Sequence, residues 1–284
     1  MRIHHLSCGT LCPFGGRWIN GDAPPWKTGR MICHVLLIET ERSGLVLVDT
    51  GMGLADVEDP AGRLGRFFVA AVRPKLRAEE TAARQVEALG FRREDVRHIV
   101  LTHMDLDHAG GLPDFPKATV HVLAEEHLAA TTRPTFEERN RYRAVQWAHE
   151  PTFERYEPAG EPWKGLPCVR DLRGLPPEIL FVPLVGHSRG HAAVAVDTGA
   201  RWLVHAGDAY FHAAQMDPER PRCTPLLSFF QRTVAIDREA MLANQERLRE
   251  LARDHAADVT VFSAHDPSEL EALQRARSAA ERAA

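Results

Sequence analysis

"THMDLDHAGG", residues 102–111, gathers two histidines and two aspartates into six consecutive positions and then turns on a glycine pair. The residues before it, "VRHIVLTH" (96–103), read as a buried strand, so His103 stands at a strand end and Met104 to His108 form a turn. Side chains at a strand end and in a tight turn can converge on one point. His103, Asp105, Asp107 and His108 offer two imidazoles and two carboxylates. One divalent ion could take His103 and Asp105, and an adjacent one Asp107 and His108. Two ions about 3.5 Å apart can share a hydroxide and clamp both ends of a displacement. Gly110 and Gly111 let the backbone that follows come close without a side-chain clash.

Three later stretches can complete such a site. "VGHSRGH" carries His187, "LVHAGDAYF" carries Asp208 and "VFSAHDP" carries His265, each after an apolar run that reads as a strand. Further out, "HVLLIET" (34–40) and "GLVLVDTG" (44–51) predict a hairpin, and residues 51–68 a glycine-rich excursion. "AEETAARQVEALG" (78–90) predicts a helix stopped by glycine, and 118–130 a strand running into a helix. Residues 178–187 and 258–266 read as strands, 192–208 as strand, turn, strand, and 237–255 and 267–284 as helices. Two runs of strands, each with helices, predict two facing sheets with helices outside, in one domain over 1–284. Residues 131–177 hold Phe136, Tyr142, Trp147, Phe153, Tyr156 and Trp163 with weak periodicity, and are expected to form an insertion or lid. Their aromatics suit either an acyl chain or a self-packed core.

Composition narrows the function classes. A net charge of −4 with histidines neutral gives no reason to expect nucleic acid or an anionic membrane as partner. No apolar run approaches the roughly 20 residues of a membrane span. "MRIHHLSCGTLCPFGG" lacks the apolar core of a signal peptide. Cys8, Cys12, Cys33, Cys168 and Cys223 are scattered, which suits reduced thiols in a cytoplasmic protein. The expected partner is a small-molecule substrate, and the expected state a monomer or homodimer. Fifteen histidines are a compositional hint of metal chemistry.

From about residue 30 to 270, "VLVDTG", "THMDLDH", "GHSRGH", "GD" and "AHD" follow in the order and rough spacing of the metallo-β-lactamase superfamily, which the chain resembles. The resemblance implies an α/β fold, a four-layer αββα sandwich. It also implies His103, Asp105 and His187 on a first metal, Asp107, His108 and His265 on a second, and Asp208 bridging. Asp49 would orient a ligand histidine, and His191 would support the site in the same way. The implied cofactors are two divalent ions, zinc first. The superfamily usually carries H-x-H-x-D-H, where this chain has H-x-D-x-D-H. Two divalent ions carry four positive charges; three carboxylates and a hydroxide carry four negative. The centre would then be neutral, a weaker Lewis acid, and the oxygen ligand Asp105 would favour iron or manganese. A di-iron oxidoreductase branch carries glutamate at this position but relies on a flavin partner domain, for which this chain has no room.

The resulting expectation is a metal-dependent hydrolase in which a bridging hydroxide attacks an ester-like carbonyl, with Asp107 also accepting a proton. "FSAHDPSEL" and the overall length look like the acyl-homoserine lactonase branch, so a lactone such as an N-acyl-homoserine lactone is the first substrate expected. Thioesters and phosphoesters are alternatives. "LVGHSRG" also fits G-x-S-x-G, a serine hydrolase elbow with Ser188 as nucleophile, but an elbow should open a helix and residues 192–208 read as a hairpin. Tyr210 is a candidate catalytic residue. The lactonase branch places a tyrosine three residues after the bridging aspartate, where this chain has Phe211.

Overall fold

The structure, a computed structural model, describes residues 1–21, 23–158, 162–168 and 172–283; within the expected 131–177 insertion, 159–161 and 169–171 lie outside the described residues, as does Ala284 at the end of the closing helix. Six strands form one sheet: β1 (Arg2–Leu11), β2 (Met31–Glu39), β3 (Leu45–Val48), β4 (Val96–Val100), β5 (Thr119–Leu123) and β6 (Phe153–Tyr156), in that spatial order. Four more, β7 (Ile179–Pro183), β8 (Ala192–Asp197), β9 (Trp202–His205) and β10 (Val259–Phe262), form a second sheet in the order β10-β9-β8-β7. Connections set the directions. β1 to β3 run antiparallel to their neighbours, whereas β3 to β6 pair in parallel and need crossovers.

The helices are α1 (Leu54–Glu58), α2 (Arg66–Val72), α3 (Ala82–Ala88), α4 (Ala124–Thr132), α5 (Phe136–Arg141), α6 (Pro225–Val234), α7 (Arg238–Asp254) and α8 (Pro267–Ala283). None is long and apolar enough to cross a membrane, among the described residues.

Strand alternation explains the layers. On β2, Leu36 and Ile38 face the second sheet and meet Phe181, Val194 and Phe262, while Val35 and Leu37 face α3 and meet Ala83 and Val86. On the second sheet, Leu180, Val182 and Val204 turn outward onto Leu248 and Leu251 of α7. Both sheets are therefore covered on both faces, which is why their strands read as nearly unbroken apolar runs. Each fully buried large aliphatic side chain contributes roughly 1.5–3 kcal/mol. This is the four-layer αββα arrangement.

The structure departs from the sequence reading at several places. The stretch read as a glycine-rich excursion folds into α1 and α2; Asp56, fully buried, accepts from the Gly53 N–H at the start of α1 and pairs with Arg63. β1 and α6 were not anticipated. The aromatics of 131–177 are mostly drawn inward: Tyr142 and Trp163 are buried, and Trp147, Phe153 and Tyr156 pack against core clusters. Phe136 is exposed.

Candidate metal centre

Five loops converge because five strands end at one rim. Asp49 follows β3, His103 to His108 follow β4, His187 follows β7, Asp208 follows β9 and His265 follows β10. The structure brings together all seven side chains expected to hold metal. His103, Asp105, His187 and Asp208 form one group of converging ligand atoms, and His108, Asp208 and His265 another. Asp107 joins His265 at 3.7 Å and shares a third group with Cys33, a neighbour the sequence reading did not single out.

Asp208 stands between the halves. Its Oδ2 lies 3.3 Å from His187 Nε2 and 3.8 Å from His103 Nε2, and its Oδ1 lies 3.0 Å from His265 Nε2 and 3.2 Å from His108 Nε2. Asp105 Oδ2 closes the first half, 3.4 Å from His103 Nε2 and 3.1 Å from His187 Nε2. A tetrahedral ion bound at about 2.0–2.1 Å sets its ligand atoms about 3.3–3.4 Å apart, so the spacing is that of a donor set built around ions. His103 Nε2, His108 Nε2 and Asp208 Oδ1 are buried and make no hydrogen bond. Leaving three such groups unpaired is costly, and a cation at each half would satisfy them.

The surrounding contacts aim these atoms inward. Asp49 Oδ2 takes the Nδ1–H of His108 at 2.8 Å, while Oδ1 accepts the Thr102 N–H at 2.7 Å. His265 donates from Nδ1 to the Ile32 carbonyl at 2.8 Å. In both rings Nδ1 is committed to its acceptor, so Nε2 is the nitrogen turned to the centre. Asp49 pays for its position with a left-handed backbone, φ 59°. His191 donates from Nδ1 to the Leu184 carbonyl and accepts the Asp208 N–H at 2.9 Å on Nε2, so it holds the bridging aspartate by its backbone. Burial works against a charged His108, but the carboxylates of Asp208 and Asp49 outweigh it and hold its pKa well above the usual range.

Two residues missed from the sequence complete the site. Arg141, the last residue of α5, places Nε 2.8 Å from Asp105 Oδ1 and 3.0 Å from Oδ2. It also donates from Nη1 to the His187 carbonyl at 2.7 Å and sets Nη2 2.8 Å from His187 Nε2. Burial alone would raise the Asp105 pKa; Arg141 and His103 instead hold it well below the carboxylate range. Burial and Arg141 push His187 down to about 4. Glu126, fully buried at the start of α4, accepts from Met104 N–H (2.9 Å), Tyr142 O–H (3.1 Å), Ser188 O–H (2.6 Å) and Gly190 N–H (3.0 Å), tying the loop after β4 to the loop after β7. No motif flags either. A buried carboxylate at position 105 calls for a counter-cation, but the sequence does not say which arginine supplies it.

Position corrects the expectation for Tyr210 and bears out the setting aside of Ser188. Tyr210 is fully buried away from the ligand cluster and its hydroxyl donates to Glu269 at 2.8 Å, so it is not placed to touch substrate. The neighbouring Phe211 instead stacks on His265, centroids 5.2 Å apart. Ser188 is fully buried with its hydroxyl committed to Glu126, and strand β8 follows rather than a helix, so no nucleophile elbow forms. The remaining histidines are largely structural: His5 meets His34 at 3.0 Å, and His98 meets His121 at 2.9 Å.

An αββα sandwich with imidazoles and carboxylates converging on a shared aspartate at one rim is the architecture of a metal-dependent hydrolase. The model of the metallo-β-lactamase superfamily matches residues 28–265, and the chain belongs to that superfamily. A protein of Mycobacterium tuberculosis named a probable metallo-hydrolase is 45% identical over 94% of this chain and 81% of its own length. An N-acyl homoserine lactonase of Bacillus cereus is 26% identical over 87% of this chain and 86% of its own. Among solved structures, an N-acyl homoserine lactone hydrolase with the product N-hexanoyl-L-homoserine bound at its catalytic metal centre superimposes with a TM-score of 0.70, at 21% identity and covering 95% of each chain. A dizinc quorum-quenching lactonase, AidC, superimposes with a TM-score of 0.62 at 16% identity, covering 93% of this chain and 87% of its own.

Proposed function

We propose that the chain is a dinuclear metallohydrolase that opens a lactone, with an N-acyl-homoserine lactone as the first substrate to try. His103, Asp105 and His187 would hold one ion, zinc first, Asp107, His108 and His265 the other, and Asp208 would serve both. The observation that carries this reading is the division of labour on Asp208, whose Oδ2 faces one set of imidazoles and Oδ1 the other. When bound, two divalent ions supply Lewis acidity toward a carbonyl and lower the pKa of water.

The chain's own residues do the rest. Asp49, the Ile32 carbonyl and His191 keep His108, His265 and Asp208 aimed at the centre. Phe211 covers one face of His265 and excludes water from that flank. Asp107 keeps about an eighth of its side chain exposed (12%), which suits it to accept a proton and pass it to solvent. The thiols of Cys8, Cys12, Cys33 and Cys223 are free, which supports a reducing, cytoplasmic setting. The lactone assignment is supported by the lactonase relatives, and the 45% identical relative supports only the wider metallo-hydrolase class.

Proton release on adding an N-acyl-homoserine lactone tests it, with zinc-loaded protein, chelated protein and Asp208→Ala run in parallel. Acid release that vanishes in both controls is expected. No release with zinc, manganese or iron would overturn the lactone assignment and turn attention to thioesters and phosphoesters.

A further inference from the structure

We propose that Arg141 is a fixed counter-cation of the metal centre that makes the first metal position, at His103, Asp105 and His187, the weaker of the two, so that the chain holds one ion tightly and one exchangeably. The inference rests on the dinuclear reading above. Its starting point is charge. The usual superfamily pattern, with an imidazole at position 105, leaves two ions, two carboxylates and a hydroxide at one net positive charge. Asp105 removes that charge, and the Arg141 guanidinium, always protonated, returns it. A neutral centre, expected from the ligand set alone, is therefore not what the fold builds.

The returned charge is not shared evenly. All three guanidinium nitrogens are spent on the first half: Nε on Asp105, Nη1 on the His187 carbonyl, Nη2 beside His187 Nε2. An ion entering the first position meets a cation already paired with one of its ligands. It must also take the lone pair of His187 Nε2 that Nη2 approaches at 2.8 Å. An ion entering the second position, at Asp107, His108 and His265, faces neither competition directly. Both effects lower affinity at the first position relative to the second.

Arg141 is held in place. Its side chain is only 10% exposed. Helix α5 starts at a capping box between Thr135 and Glu138, and Glu138 pairs with Arg189 in the loop that carries His187. One short helix therefore grips the His187 loop at two points, through Glu138 and through Arg141.

The test is zinc binding, read by competition with a chromophoric chelator and by elemental analysis after dialysis, on wild type, Arg141→Met, Arg141→Lys, His187→Ala and His265→Ala. The wild type is expected to bind two ions with affinities at least about tenfold apart. His187→Ala should lose the weak step, and His265→Ala the tight one. Arg141→Met should tighten the weak step about tenfold or more, and Arg141→Lys, which keeps charge but loses the planar fork, should fall between. Equal affinities in the wild type, or an Arg141→Met step that is unchanged or weaker, would overturn the proposal. If Arg141→Met does not fold, the lysine variant decides alone: no tightening counts against it. A wild type that binds no zinc would instead overturn the dinuclear reading beneath it.

Discussion

Asp49 holds His108 through a 2.8 Å hydrogen bond to Nδ1, and the opposite nitrogen of the same ring lies 3.2 Å from Asp208. The carboxylate thus decides which face of the imidazole is free for a metal. Asp49→Asn keeps shape and tolerates the left-handed backbone, but its amide can hold the ring only by offering an N–H where Nδ1 now donates, or by breaking the Thr102 contact. Zinc affinity at the second position is expected to fall about 10–100-fold. Competition titration checks this, and an unchanged affinity would show that His108 is oriented by something else.

Glu126 accepts four hydrogen bonds, from the loop after β4, from Tyr142 at the end of α5 and twice from the loop after β7. Glu126→Gln turns one acceptor oxygen into a donor facing donors. A loss of about 2–3 kcal/mol in urea unfolding of the metal-free protein is expected, close to the value of hydrogen bonds to a charged group. A smaller loss than about 0.5 kcal/mol would mean the loops are held by packing alone.

Ser188→Ala removes one of those donors and nothing else. Stability should drop by about 1 kcal/mol, with turnover kept and no sensitivity to phosphonylating reagents in the wild type. Abolished turnover with intact metal content would revive a serine mechanism.

Glu269 is partly buried, and desolvation first, with nearby Asp266 adding, raises its pKa to about 8 while Ser263 N–H and Tyr210 O–H work the other way. The folded state therefore binds this proton more tightly than the unfolded chain. Its contribution to stability is full below the unfolded value near 4.5 and is lost as pH rises through about 8. Wild-type melting temperature should fall from pH 5 toward 8.5 more steeply than that of Glu269→Gln; parallel curves would contradict the assignment. Tyr210→Phe should leave turnover unchanged, since its hydroxyl serves Glu269.

Much of the centre was legible because ligands must sit at strand ends, and each of "THMDLDH", "GHSRGH", "GD" and "AHD" follows an apolar run. The facing sheets were legible for the same reason: period-two burial and apolar runs survive in the sequence. What was hidden depends on long-range charge and packing. Arg141 lies 36 residues from Asp105 in a stretch crowded with arginines, and only folding selects it. Tyr210, the expected catalytic residue, turns to Glu269, and Phe211 is the one that lies against His265; which of two neighbours in a loop faces the site is not written in the sequence. α1 and α2 were masked by glycines that in fact sit at helix ends and turns, as Gly53 and Gly65 do. β1 was masked because its histidines and serine read as polar, although most of the strand is buried.

The most direct test of the bridging aspartate is anomalous diffraction from crystals soaked to saturation with zinc. Two peaks are expected at the rim, one beside His103 and His187 and one beside His108 and His265, with Asp208 Oδ2 on the first and Oδ1 on the second. A single peak, or an Asp208 with both oxygens on one ion, would contradict the dinuclear centre.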